Sequence, residues 1–161
     1  MAEEPQPTPE KQLLLQKIYI KDFSFESPRA PAIFGTNVSP KTQISIKSTA
    51  KELTPDTQEV ILTLTLEATD QDKTLFMVEI EQAGLFRMQG YSEEEQRMLI
   101  GSYCPGALYP FAREAIADII TRGGFPQLLL QPINFDGLFA RAIKEAGDSN
   151  GGSARTPEDT H

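Results

Sequence analysis

The sequence has one cysteine, one histidine and no tryptophan among its 161 residues. Cys104 therefore has no partner for an intrachain disulfide and cannot contribute to a cysteine-rich metal site. It lies beside neither a basic residue nor a histidine, so we expect a packing cysteine, and a single thiol is typical of a reducing compartment. His161 is the last residue, which excludes catalytic triads and most imidazole metal sites unless the C-terminal segment docks elsewhere.

The sequence also lacks an excess of basic residues and any long apolar run. Its 15 Lys and Arg are outnumbered by 23 Asp and Glu, giving a formal net charge of −8 and a pI near 4.7. This sign repels phosphate backbones, so nucleic acid is not an expected partner, and basic partners are favoured. No stretch approaches the ~20 apolar residues of a membrane-spanning helix, and the acidic, Pro-rich start predicts no export signal. We expect a cytoplasmic protein.

Sequence signatures of catalysis are missing as well. No G-x-G-x-x-G, Walker or H-E-x-x-H pattern occurs, so we predict neither a cofactor nor a metal site. Glu79 and Glu81 share one strand face, as do Asp22 and Glu26, and such pairs can serve general acid–base catalysis. A charged alternate face is ordinarily just solvated, and the apolar residues among these acids also fit a docking surface. We predict a binding protein rather than an enzyme.

Composition divides the chain into one domain and two tails. Residues 1–10 and 147–161 are polar and rich in Pro or Gly, so we expect disordered tails around a domain at residues 11–146. Alternation of apolar and polar residues predicts four strands, at residues 18–26, 42–53, 59–68 and 74–86. Short turns between the last three predict antiparallel pairing, whereas a long loop leaves the placement of the first strand open.

The first strand carries a specific expectation about its two faces. A strict two-residue period puts aromatic side chains on one face, at Tyr19, Phe23 and Phe25. The same period puts Asp22 and Glu26 on the opposite face, together with Ile18 and Ile20. On the fourth strand, Met77 is expected to share a face with the acids. These expectations predict an acidic surface with an apolar component.

The second half of the chain changes to a helical period. A capping box opens a short helix at residues 92–100, and an apolar stripe predicts a longer helix after Pro105, ended by the glycines at 123–124. A last helix is expected at residues 134–147. Strands followed by helices indicate the α+β class. The linker at residues 124–132, GFPQLLLQP, is too apolar for an ordinary loop and is expected to cap a core or to cover a peptide groove.

Five segments of the sequence resemble a known family, the SecB protein-export chaperones of bacteria. They occur in the family's order and spacing at residues 18–28 (IYIKDFSFESP), 101–105 (GSYCP), 109–114 (YPFARE), 122–128 (RGGFPQL) and 132–139 (PINFDGLF). The resemblance implies a four-stranded antiparallel sheet with two main helices on one side, assembled as a homotetramer that is a dimer of dimers. It implies a chaperone that uses no nucleotide or metal of its own.

The implied work is that of a holdase. Such a protein keeps newly made precursor proteins unfolded and passes them to the export motor ATPase, so that it meets the membrane only indirectly, through the motor. The zinc of this pathway belongs to the motor's C-terminal tail. Two alternatives stay open from the residues alone: a small acid–base enzyme using Glu79 and Glu81, and a plain oligomeric scaffold without a groove for client proteins.

The resemblance assigns three sets of residues by position. Contacts for the motor's basic, zinc-bearing tail are implied at Asp22, Glu26, Met77 and Glu79, where Met77 replaces a Leu of similar volume. The groove for client peptides is implied at Phe25, Phe76, Tyr109, Phe111, Leu128 and Phe139. Contacts that join dimers into the tetramer are implied at Val78, Ile80 and Gln82. Each set is an expectation about where these side chains lie and what they touch.

Overall fold

A computed structural model describes residues 10–151, with side chains through residue 147. The predictions for residues 1–9 and 152–161 lie outside this part of the chain. The elements are β1 (Gln12–Glu26), a 3₁₀ turn (Ala32–Gly35), β2 (Lys41–Thr54), β3 (Thr57–Asp70), β4 (Lys73–Gln89), α1 (Glu93–Met98), a π-helical turn (Leu99–Tyr103), α2 (Cys104–Arg122) and α3 (Phe135–Gly151). The predicted α+β class, with strands preceding helices, is confirmed.

The four strands form one antiparallel sheet in the order β1-β4-β3-β2. Tight turns join β2 to β3 and β3 to β4, and in the second of these turns Gln71 and Asp72 both have positive φ, at 50° and 61°. A turn of this backbone type matches the twist of the strands it connects. β1, whose placement the sequence left open, pairs with β4 at the edge of the sheet away from β2. β1 and β2 are therefore the two edge strands.

The sheet has one covered and one open side. In β3 and β4 the even-numbered side chains are buried almost throughout, and α2 packs over them. The apolar stripe of α2, including Leu108, Ala112 and Ile116, is fully buried in the same core. Cys104 belongs to this core too, and burial raises its pKa to about 12, which confirms a packing role.

A β-bulge in β1 overturns the expected distribution of its side chains. Ile20 pairs with Gln82 but Asp22 pairs with Glu81, so that Lys21 is an extra residue in the strand. Because one added residue reverses the alternation that follows, Ile18 and Ile20 lie on the covered side with Phe23 and Phe25. Tyr19 lies on the open side with Asp22 and Glu26. The predicted grouping of Tyr19 with Phe23 was wrong, as was that of the acids with Ile18.

The helices after the sheet form one continuous segment, where the sequence predicted two separate helices. Ser92 Oγ accepts a hydrogen bond from the Glu95 backbone N–H at 3.2 Å, so the predicted cap opens α1 as expected. The π-helical turn then carries the chain directly into α2. Pro105 cannot donate to the carbonyl of Gly101 and crowds it, and a wider turn removes this conflict without ending the helix.

The sequence predicted two of the three remaining helix boundaries, the end of α2 and the start of α3, but not the end of α3. α2 ends at Arg122 as expected, and Gly124 follows in the left-handed backbone conformation, with a φ of +87°. The start of α3 is also as expected, because Asn134 Oδ1 accepts from the Gly137 backbone N–H at 3.1 Å. The expected stop at Gly147 was wrong, since α3 continues to Gly151. A glycine within a helix weakens it but does not end it.

Candidate functional site

An open apolar groove runs along β2 on the covered side of the sheet. Ile44 and Ile46 of β2 line two adjoining cavities of about 540 and 280 Å³. The larger cavity lies between β2 and α3, and the smaller lies between β2 and the linker that precedes α3. We call the two together the β2 groove; its α3 wall consists of Phe135, Leu138, Phe139 and Ala142. Because β2 is an edge strand, the groove opens to solvent along its length.

The linker before α3 is fixed in place over one end of the β2 groove. The Tyr109 hydroxyl donates to the carbonyl oxygen of Gln131, and burial raises the pKa of Tyr109 above its usual value. Leu130 is buried in the core, and Leu128 lines the smaller cavity. The linker thus both caps the core and borders a groove, which were the two roles that its apolar sequence allowed.

The six residues expected in a client groove fall into three places. Tyr109, Leu128 and Phe139 border the β2 groove. Phe25 and Phe76 lie instead in an aromatic cluster at the far end of α2. Phe111 is 48% exposed and lines a separate cleft of about 310 Å³ between α2 and β1. The structure brings together three of the six, and their role in client binding stays a prediction.

The aromatic cluster joins β1 and β4 to the two long loops. Phe76 lies 6.2 Å from Phe25 and 4.7 Å from Phe125 between ring centroids, and Phe125 lies 5.6 Å from Phe34. A Cβ at Gly123 would approach Cζ of Phe25 to 2.3 Å, so only glycine permits this packing. Phe34 remains 53% exposed, so the cluster has one open side.

Sequence reasoning missed the β2 wall of the groove and named only Phe139 of its α3 wall. The alternation of Ile44 and Ile46 was recognised, but alternation alone does not distinguish a core strand from one that borders an open groove. What distinguishes an edge strand from a core strand here is the composition of the segment. Residues 41–51 contain three lysines and, apart from Ile44, Ile46 and Ala50, only polar residues. Lysine-rich strands are typical of sheet edges.

The residues expected to contact the motor's tail lie together on the open side of the sheet. Cross-strand partners in β1 and β4 share a face, and here Asp22 pairs with Glu81 and Glu26 pairs with Met77. Glu79 lies between these pairs, opposite Ser24, and accepts a hydrogen bond from Thr65 Oγ1 at 3.2 Å. We call Asp22, Glu26, Glu79, Glu81 and Met77 the acidic patch. Met77 is 36% exposed at its edge.

The acidic patch is not neutralised within the protomer. In the described part of the chain the ion pairs join Lys11 to Glu95, Lys21 to Glu59 and Arg122 to Asp118, and none involves a residue of the patch. Glu79 and Glu81 lie on an open sheet face rather than in an enclosed polar cavity. This arrangement suits contact with a basic partner better than acid–base catalysis, which needs a site that positions a substrate.

The residues expected at the tetramer contact lie inside the protomer, and their part in assembly stays a prediction. Val78 and Ile80 have no exposed surface and Gln82 is nearly buried, all on the covered side of β4. Gln82 Nε2 donates to the Tyr19 carbonyl oxygen at 3.2 Å, beside the bulge of β1. None of these side chains can touch a second protomer directly while α2 covers them. Any effect on assembly must act through the position of α2 or β1.

A polar cluster on the open side was not anticipated from the sequence. The Tyr19 hydroxyl donates to Glu59 Oε2, and Lys21 Nζ donates to Glu59 Oε1 at 3.0 Å. Burial and the bond to Glu59 raise the pKa of Tyr19 to about 12, and the same bond, with that from Lys21, lowers the pKa of Glu59. This cluster ties β1 to β3 across β4. Tyr19 faces this side because β1 has an earlier register shift as well, between Leu15 and Lys17.

The described residues contain no cluster of three or more His, Cys, Asp or Glu side chains arranged to hold a metal ion. Within the same residues, no helix has both the length and the apolar character to cross a bilayer. What the structure does present is a pair of contrasting surfaces, an open apolar groove on one side of the sheet and unpaired carboxylates on the other. The fold and these surfaces define a small α+β binding protein.

Comparison with known proteins identifies the family within that class. A family model described as "Preprotein translocase subunit SecB" matches residues 6–146. The chain therefore belongs to the SecB family of protein-export chaperones, and the resemblance carried by the five sequence segments is confirmed.

Relatives support the same assignment, and one solved structure supports the fold. The "Protein-export protein SecB" of Methylococcus capsulatus is 44% identical over 146 residues, covering 91% of this chain and 94% of the relative. That of Nitrosococcus oceani is 43% identical, covering 89% of each. A SecB-like chaperone of Mycobacterium tuberculosis, solved with a ChAD peptide from the HigA1 antitoxin, has a TM-score of 0.59 at 22% identity and covers 75% of this chain and 90% of that one. At that identity the match concerns the fold.

Proposed function

We propose that this protein is an ATP-independent holdase of the cytoplasm, which binds unfolded precursor proteins in the β2 groove and delivers them to the export motor ATPase. The observation that carries the proposal is the groove itself, an apolar channel that stays open beside the exposed side chains of Ile44 and Leu138. A folded monomer rarely leaves such a channel open without a ligand for it. Membership of a protein-export chaperone family supplies the class of ligand.

The chemistry of the groove accounts for binding without a defined sequence. Burial of apolar surface is non-directional and contributes about 25 cal/mol per Å² removed from water. A short client segment therefore gains modest affinity after its ordering entropy is subtracted. If four protomers form a dimer of dimers, a long client that contacts several grooves gains a further factor of about 10² or more by effective concentration. Binding the unfolded state then holds the client away from its folded state.

The acidic patch supplies a route for delivery without a nucleotide. We assign it to the basic, zinc-bearing C-terminal tail of the motor, with Asp22, Glu26 and Glu79 as charged contacts and Met77 as the apolar one. The patch lies on the opposite side of the sheet from the β2 groove, so that the two partners can be held at the same time. Steering by opposite charge then brings the motor close to a client that is already bound.

We place the assembly surface beside β1 rather than at Val78 and its neighbours. β1 is an edge strand with unpaired backbone groups, and edges of this kind promote pairing with another chain. Ile20 and Phe111, each 48% exposed, border the same cleft next to this edge. An exposed apolar pair beside a free strand edge fits a contact between protomers.

Replacing both Ile20 and Phe111 with Ser is expected to reduce the native mass from four chains to fewer, because the apolar contact between protomers is lost. Light scattering over a range of concentrations measures this change, and replacing Leu53 and Val38 with Ser provides a control with exposed apolar residues outside this cleft. An unchanged mass together with weaker client binding would return Phe111 to the client groove, as the resemblance implies.

Replacing Ile44 and Ile46 with Ser tests the groove itself. We expect the wild-type protein to slow the refolding of a precursor diluted from denaturant, and the double variant to need roughly thirtyfold more protein for the same delay. The reason is the loss of two apolar contacts, each worth about 1 kcal/mol. The matched control is again Leu53 with Val38, both replaced by Ser. If even the wild-type protein leaves refolding unchanged, the plain scaffold replaces the holdase.

A further inference from the structure

The ring of Phe139 in α3 rests directly on the backbone of Gly101. A Cβ on Gly101 would lie 2.1 Å from Cδ2 and 2.3 Å from Cε2 of Phe139, far inside any ordinary contact distance. Another residue at position 101 would therefore have to move the ring. The Gly101 backbone and the space above it that the Phe139 ring fills are together called the Gly101 site.

The Gly101 site lies in the π-helical turn, and α3 is attached there at two points. Phe139 is one point, and the other is a hydrogen bond from Ser102 Oγ to Asp136 Oδ1, one helical turn earlier in α3. α3 packs against this turn, and no described residue of α3 beyond Ile143 lines the adjoining cavities. The start of α3 is held more firmly, because Phe135 is buried and lies 5.7 Å from Tyr109 between ring centroids. Few contacts hold the helix from Phe139 onward, so a local displacement of that part costs little relative to unfolding.

Phe139 also separates two cavities that would otherwise join. On one side is the β2 groove, with about 540 Å³ in its larger part. On the other is a cleft of about 740 Å³ between α1 and α3, bordered by Met98, Tyr103 and Ile143. The Phe139 ring borders both volumes. Its displacement would connect them into one trough that passes over Gly101.

We propose that the Gly101 site is a subsite for an aromatic side chain of the client, and that Phe139 occupies it in the free protein as an intramolecular competitor. The inference rests on the proposed holdase function. A phenyl ring already fits the site, so the phenyl group of an unfolded chain fits it as well. Binding there exchanges one ring for another and releases α3, which opens the trough for the flanking client residues. α3 therefore lowers the apparent affinity for clients until a ring displaces Phe139.

Phe139→Ala distinguishes a competitor from a simple wall residue. We expect this variant to bind a labelled, unstructured peptide with a single Phe about three- to tenfold more tightly than the wild-type protein, because the site is no longer occupied. The same peptide with Ser in place of Phe should show no such gain. Arg141→Ala, which truncates an exposed residue of the same helix that lines neither cavity, is the control and should leave both affinities unchanged. Weaker binding by Phe139→Ala would overturn the proposal.

Gly101→Ala tests the site from the opposite direction. The added methyl group displaces Phe139 and also fills the subsite, so α3 should exchange its amide hydrogens faster while the Phe peptide gains no affinity. Gly106→Ala is the matched control, since its Cβ would meet only Phe135 at an ordinary 3.8 Å. If Gly101→Ala left hydrogen exchange in α3 unchanged, the proposal would fail. If the wild-type protein bound neither this peptide nor an unfolded precursor, the holdase function itself would fail.

Discussion

Replacing Ile80 with Asp is expected to prevent the protomer from folding, and not to yield a folded dimer. Ile80 has no exposed surface and lies in the middle of the covered side of β4, paired with Phe23 of β1 and Leu64 of β3. A carboxylate there has no partner and loses its hydration, which costs more than about 4 kcal/mol. This is comparable with the whole free energy of unfolding of a typical domain, roughly 5–15 kcal/mol.

The same chemical change at Ile44 provides the control. Ile44 lies on the same side of the sheet, but on an edge strand and 43% exposed, so that an Asp there keeps most of its hydration. We expect Ile44→Asp to lower the free energy of unfolding by about 1 kcal/mol, measured by circular dichroism in a denaturant titration. Ile80→Asp should show no cooperative transition. A folded Ile80→Asp protein of half the native mass would instead restore β4 as a direct contact between dimers.

The architecture of the sheet was accessible from the sequence because local patterns and global packing agree there. The alternation in residues 59–68 matches the buried and exposed sides of β3 without exception, and the turns at Asp56 and Asp72 are where the chain reverses. The bulge at Lys21 was not accessible, because its strand is as regular in sequence as any other. Bulges of this kind follow from the fit between two strands and need no glycine in the bulged one.

The helical half shows a different limit of sequence reasoning. Pro105 is a helix breaker by propensity, yet the π-helical turn before it lets the helix continue, and tertiary packing of α2 outweighs the local cost. Gly147 does not end α3, whereas α2 does end before Gly123. A glycine ends a helix when the backbone after it turns away, as it does at Gly124, and the residue type alone does not decide this.

For the candidate site, the sequence predicted which acidic side chains share a sheet face better than it predicted which side chains line one groove. The acids at positions 22, 26 and 79 were expected on one surface and lie on one surface, although the reasoning about β1 had placed the wrong neighbours with them. The groove residues were expected together and lie in three places, because Tyr109 and Phe111 lie on different faces of α2 and Phe76 packs against Phe125, away from the β2 groove. Such separations depend on helix packing, which a single sequence does not specify.

Replacing Asp22, Glu26 and Glu79 with Lys is expected to lower the affinity for the motor's zinc-bearing tail at least about 100-fold. These carboxylates share a sheet face with Met77 and have no basic partner among the described residues, so a basic tail meets uncompensated negative charge. Reversal removes the attraction and adds repulsion between like charges, which costs several kcal/mol across an interface. Calorimetric titration with a peptide of the tail measures the change. Binding by the wild-type protein should weaken as salt is added, since exposed charges are screened.

The control must change the total charge without touching the patch. Replacing Glu10, Glu52 and Glu145 with Lys alters the net charge by the same amount at positions remote from Met77. If the patch acts locally, this control binds the tail within a fewfold of wild type, because charges beyond a Debye length of about 8 Å contribute little at physiological salt. An equal loss in both triple variants would assign the effect to net charge. Retained client binding in the patch variant, measured by delayed refolding, shows that its β2 groove is intact, whereas loss of both activities would indicate misfolding and leave the patch without a demonstrated partner.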